Sequence, residues 1–131
     1  MELETTARRQ KFKLRCYLNA LELAHKIVDA LEDRKGEDIL LLDIKDIASF
    51  TDYFVLCNGT SDRMLDALAK GVLEVTKKEY KKKSRVTGEA NEGWLVLDYG
   101  DVVVHLFSPD QREHYDLEEL WSDGKVLLKV Q

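Results

Sequence analysis

Two stretches of this chain place apolar side chains three and four residues apart, and other stretches gather them in short blocks, so helix-like and strand-like patterning alternate. Ala20, Ala24, Ile27, Val28 and Leu31 line one face of a first helix. That helix is predicted to start near Asn19, with Glu22 as its capping-box partner, and to stop at Gly36. "ILLLDI" (39–44) and "DYFVLC" (52–57) are short, branched and apolar, as strands covered on both faces tend to be. Helical spacing then returns: Leu65, Leu68, Ala69, Val72 and Thr76 form an inward stripe, with Gly59 supplying the preceding turn and Thr60 or Ser61 the cap.

"WLVLDYGDVVVHLF" (94–107) reads as two strands joined by the two-residue turn Tyr99-Gly100. In that register Asp98 faces Asp101, Val96 faces Val103 and Trp94 faces His105. One face then collects Trp94, Val96, Asp98, Asp101, Val103, His105 and Phe107, while Leu95, Leu97, Val102, Val104 and Leu106 share the other. The all-apolar face must be core, so the face carrying the polar groups is expected to be partly open and to serve as an interaction surface or a site. Beyond the hairpin, "SPDQ" (108–111) pairs Ser108 with Gln111 around Pro109, and "DLEE" (116–119) pairs Asp116 with Glu119, predicting two short closing helices.

The order helix, strand, strand, helix, hairpin, helix is that of a single α/β domain with a mixed β-sheet flanked by helices. We place that domain at residues 19–122, after a basic N-terminal arm (1–18) and before a C-terminal tail (123–131). The chain has 131 residues, 44% hydrophobic and 34% charged, which suits one folded domain with a modest core. No apolar run approaches the roughly 20 residues needed to cross a bilayer, and no apolar secretory segment opens the chain, so a cytoplasmic protein with no membrane partner is expected. Cys16 and Cys57 form no metal-type pair and are read as reduced. The net charge of −5 argues against broad binding to naked nucleic acid. Basic residues do cluster at Arg8, Arg9, Lys11, Lys13 and Arg15 and in "KKEYKKKSR" (77–85); the second cluster falls where a helix should end and complements its dipole.

Candidate chemistry is sparse. A Gly-Ser turn at 59–61 opening a helix could hold phosphates, and paired aspartates Asp98 and Asp101 could hold Mg²⁺, which makes a metal-dependent nucleotidyltransferase-like enzyme the alternative reading. That pattern asks for two acids on the strand soon after the turn, whereas Asp66 falls in a helix and Asp98 far downstream. Turn chemistry is the better account of both aspartates. No nucleophile stands in a recognisable arrangement with His105, so neither an enzyme nor a cofactor is expected. A general adaptor that self-associates through a sheet edge is a third reading.

"TDYFVLCNGTSDR" (51–63) and "EGWLVLDYGDVVVHLFSPDQREHYDLEELW" (92–121), with the spacing between them, resemble the ribosomal silencing factor family, also called Iojap. The resemblance covers roughly residues 19–122. It implies a nucleotidyltransferase-like fold without a working active site, and binding to the large (50S) ribosomal subunit through its fourteenth ribosomal protein. By occupying that face such a protein blocks association with the small subunit and represses translation when nutrients are scarce. The family's contact residues carry over onto Trp94, His105 and Tyr115, with Asp98, Asp101 and Arg112 in the matched motif. A homodimer when free, and a local contact of the basic arm with ribosomal RNA, are compatible with the same resemblance. Met64 departs from it, standing where many members have histidine.

Overall fold

The computed structural model describes residues 19–131. Six strands form one sheet in the order β3-β4-β5-β2-β1-β6. In chain order they are β1 (Glu37–Asp43), β2 (Tyr53–Asn58), β3 (Arg85–Glu89), β4 (Trp94–Asp98), β5 (Val102–Phe107) and β6 (Lys125–Val130). β2 and β5 run parallel at the centre and join two antiparallel halves, so the sheet is mixed as the element order predicted. Every residue of both central strands is buried.

Helix α1 spans residues 19–33 of the described region. Asn19 is itself helical, and the residues before it, where its cap would be judged, lie outside the described region. The basic arm and Cys16 also lie outside them. Helix α2 (Asp62–Tyr80) begins where Ser61 Oγ accepts from Met64 N at 3.1 Å. Its buried side includes Leu65, Leu68, Ala69, Val72 and Thr76, the stripe read from the spacing. α1 and α2 cover one sheet face, packing Leu23, Ile27, Leu31, Leu65 and Leu68 on Ile39, Leu41, Val55, Leu97, Val104 and Leu106. Within this layer the Thr76 and Tyr99 hydroxyls meet at 2.8 Å, which satisfies two polar groups in an apolar core.

Gly36 lets the chain pass Cys57 closely, since a Cβ there would stand 2.4 Å from the thiol sulfur. Burial pushes that thiol up to about 12. It is neither a ready nucleophile nor a ready metal ligand.

The opposite face carries a smaller cluster of Leu40, Leu42, Ile44, Phe54, Leu56, Val103 and Phe107. Short helices α3 (Pro109–Tyr115) and α4 (Leu117–Leu120) follow β5, and Trp94, Val96, Leu117 and Trp121 pack on this cluster while only partly buried. Ser108 caps α3 by accepting from Gln111 N, with Pro109 in the first turn, as predicted. Asp116 does not act as the second cap. Its backbone takes the left-handed conformation and its N–H closes α3 on Arg112 O, leaving no side-chain bond to start α4.

Two strands were not expected. β3 is exposed throughout, and β6 lies in the segment read as a tail yet pairs antiparallel with β1 along its length. The hairpin register also differs from the prediction. Asp98 pairs with Val103, Val96 with His105 and Trp94 with Phe107, so the loop is Gly100-Asp101. Glycine takes the first loop position at φ +89°, the left-handed backbone that mirror-image hairpin turns require. The shift is two residues, which preserves the alternation, and both face assignments survive.

Candidate ribosome-contact face

Trp94 opens β4 immediately after Gly93, whose φ of +80° ends a short 3-10 turn (Ala90–Glu92). A Cβ at position 93 would stand 2.6 Å from Ser108 Oγ, so only glycine lets β4 start against the cap of α3. That approach sets the indole beside the last residue of the helix, with Tyr115 4.4 Å and Phe107 5.0 Å from it between ring centroids. Tyr115 is 48% exposed and Trp94 half-buried.

His105 sits diagonally behind them and almost wholly buried. Trp94 Nε1–H donates to His105 Nδ1 at 3.2 Å, so the proton of the neutral ring belongs on Nε2. Nε2 is buried without a hydrogen-bond partner among the described residues, and the ring stands edge-on to Phe54 at 4.8 Å. Burial pushes the imidazole down to about 4, with the Asp98 carboxylate pulling the other way. The ring is neutral at pH 7 and orients Trp94 as an acceptor, a role open to it only while unprotonated.

The other carried-over residues stand elsewhere. Asp98 Oδ1 accepts from Gly100 N at 2.8 Å, the turn chemistry expected of it. Asp101 lies in the loop, where Lys82 Nζ approaches it at 3.4 Å. The two carboxylates are not cross-strand partners, and both sit at the hairpin end remote from Trp94. Arg112 turns away from the aromatic group: Nε donates to Glu118 at 2.8 Å, and Nη1 donates to Asn58 Oδ1 at 3.0 Å and to the Asp38 carbonyl. It ties α3 to the adjoining ends of β1 and β2. The hairpin alternation placed Trp94, His105 and Phe107 on one face and the family resemblance added Tyr115, while Phe54 was missed because its apolar type gave no signal beyond strand burial.

The Gly-Ser turn is used internally. Gly59 N donates to Phe107 O at 2.8 Å, and Thr60 N and Oγ1 both reach Met64 Sδ, so the residue that departs from the family pattern serves as a local acceptor. Among the described residues no group of three or more His, Cys, Asp or Glu side chains could hold a metal ion, and no helix is long and apolar enough to cross a membrane.

Comparison with known proteins bears on this geometry. The family model for ribosomal silencing factor during starvation matches residues 17–131. A ribosomal silencing factor of Halalkalibacterium halodurans is 36% identical over 106 residues, covering 81% of this chain and 91% of the relative. That of Bacillus subtilis is 38% identical over 97 residues, 74% and 82% of the two chains. A crystal structure from Chromobacterium violaceum superposes with a TM-score of 0.73 at 37% identity, covering 78% of this chain and 85% of that one. A family match over residues 17–131, joined to relatives 36% and 38% identical over most of both chains, shows that this chain belongs to the ribosomal silencing factor family.

Proposed function

We propose that this protein acts in the cytoplasm as a ribosomal silencing factor without enzymatic activity. It binds the large ribosomal subunit through its fourteenth ribosomal protein, blocks association with the small subunit by occupying that face, and so represses translation under nutrient limitation. One observation carries the reading beyond family membership: a half-buried tryptophan, fixed by a neutral histidine and flanked by an exposed tyrosine, stands at the open side of a rigid sheet. Preorganised aromatic anchors of this kind concentrate binding energy, because their ordering is complete before the partner arrives. Exposed acids near Tyr115, namely Glu113, Asp116 and Glu119, favour a basic ribosomal protein.

Gradient sedimentation of purified large and small subunits tests the proposal. Wild type is expected to co-migrate with large subunits and to prevent joining. Tyr115→Ala, which removes an exposed ring, should weaken binding by about 30-fold or more while leaving the fold intact, and Trp94→Ala should do at least as much. If the wild-type protein joins no particle and subunits associate normally, the proposal fails.

A further inference from the structure

The aromatic face does not end at His105. Phe54, edge-on to the imidazole, also meets Trp121 at 5.7 Å and Phe50 at 5.9 Å, and Phe50 and Trp121 meet each other at 5.7 Å. The rings thus run continuously from Tyr115 through Trp94, His105 and Phe54 to Trp121 and Phe50. Phe50 is 58% exposed, in the segment that connects β1 to β2. Ile47 in the same segment and Leu120, next to Trp121, are exposed as well. Large apolar side chains concentrated in water beside a half-open core mark a contact surface more often than a free one.

Charge indicates what covers them. The two segments that carry the patch, residues 44–52 and 116–123, hold Asp46, Asp52, Asp116, Glu119 and Asp123 beside Lys45, while their remaining acid, Glu118, is paired with Arg112. Lys45 is engaged with Asp43 and Tyr53. A second copy of the chain meeting this patch about a two-fold axis would set the same acids against themselves. A basic surface with an apolar side chain to offer meets no such opposition.

We infer that Phe50 and Trp121 form a second anchor of the docking surface, engaging the same basic protein of the large subunit that Trp94 and Tyr115 engage. This rests on the reading given above and extends its footprint to the opposite flank of the buried histidine. The Phe50 ring supplies the apolar contact and the surrounding carboxylates supply the attraction.

Binding to purified large subunits is measured for wild type, Phe50→Ala, Phe50→Lys, Leu120→Lys and Phe50→Leu, each variant first matched to wild type in urea midpoint and near-ultraviolet circular dichroism. Phe50→Ala should weaken binding by about tenfold, the two lysine variants by more, and Phe50→Leu should retain most of the affinity. Leu120 is 70% exposed, so its replacement keeps the test standing if a Phe50 variant fails to fold. Wild-type binding with Trp94→Ala impaired, but Phe50 and Leu120 variants indistinguishable from wild type, overturns the second anchor and leaves the function intact. Variants that alter the sedimentation of the free protein but not its subunit binding overturn it too, by making the patch a self-contact. Absence of wild-type binding removes the function itself.

Discussion

The two faces of the sheet are built from the same six strands and are finished differently. On the α1/α2 face leucine, isoleucine, valine and alanine interdigitate with little surface left over, and the Thr76–Tyr99 hydroxyl pair is sealed inside. On the α3/α4 face the cluster is smaller, rich in rings, contains a histidine, and leaves Trp94 and Trp121 partly in water. Two long amphipathic helices can close a sheet face; a seven-residue and a four-residue helix cannot. The first face holds the fold and the second, we propose, is what the fold presents.

The separation can be attacked first where the fold is held. Leu68→Ala, at a position with no exposure, should cost about 2–5 kcal/mol in urea unfolding through lost burial and the cavity left behind. Folded Leu68→Ala molecules should bind large subunits as wild type does. A weakened affinity at full folding would show that the two faces are coupled.

Acid sharpens the contrast from the other side. The unfolded imidazole titrates near 6.5 and the folded one near 4, so on acidification the unfolded chain takes the proton first. Stability from the neutral ring is complete above about pH 6.5 and lost as pH falls toward 4, by about 3 kcal/mol in all. Unfolding midpoints of wild type and His105→Leu, compared at pH 7 and pH 4.5, should draw together at the lower pH. A difference that does not change with pH would remove His105 as the titrating group.

The smallest effect belongs to the hairpin end. Lys82→Ala removes a contact between partly exposed groups, 42% and 30% accessible, and should cost less than about 1 kcal/mol, shrinking further in salt. Subunit binding should not change, because Asp101 lies away from Trp94. A binding defect here would extend the contact surface to the turn.

Much of this was readable from residue order, and the misses share a cause. Hydrophobic alternation fixed which hairpin residues face which way but not the register, since sliding by two leaves alternation untouched. The turn had to decide, and glycine at its first position moved the loop from Tyr99-Gly100 to Gly100-Asp101. β3 and β6 were overlooked because edge strands owe their shape to a neighbour's backbone more than to their own pattern. Asp116 had the letters of a cap, yet the need to end α3 took its backbone first. Trp94 and His105 were placed as direct cross-strand partners and are diagonal ones, still bonded. Arg112 shows the limit of reading roles from motifs: its side chain fastens α3 to the sheet instead of joining the rings.

Cys57, pressed against Gly36 in the centre of the sheet, gives the molecule a built-in stopwatch. With Cys16 replaced by serine, a maleimide reaches this sulfur only when the strands part, so the labelling rate counts openings of the native state. A bound ribosomal partner would be felt there as a slower tick, reported from a residue it never touches.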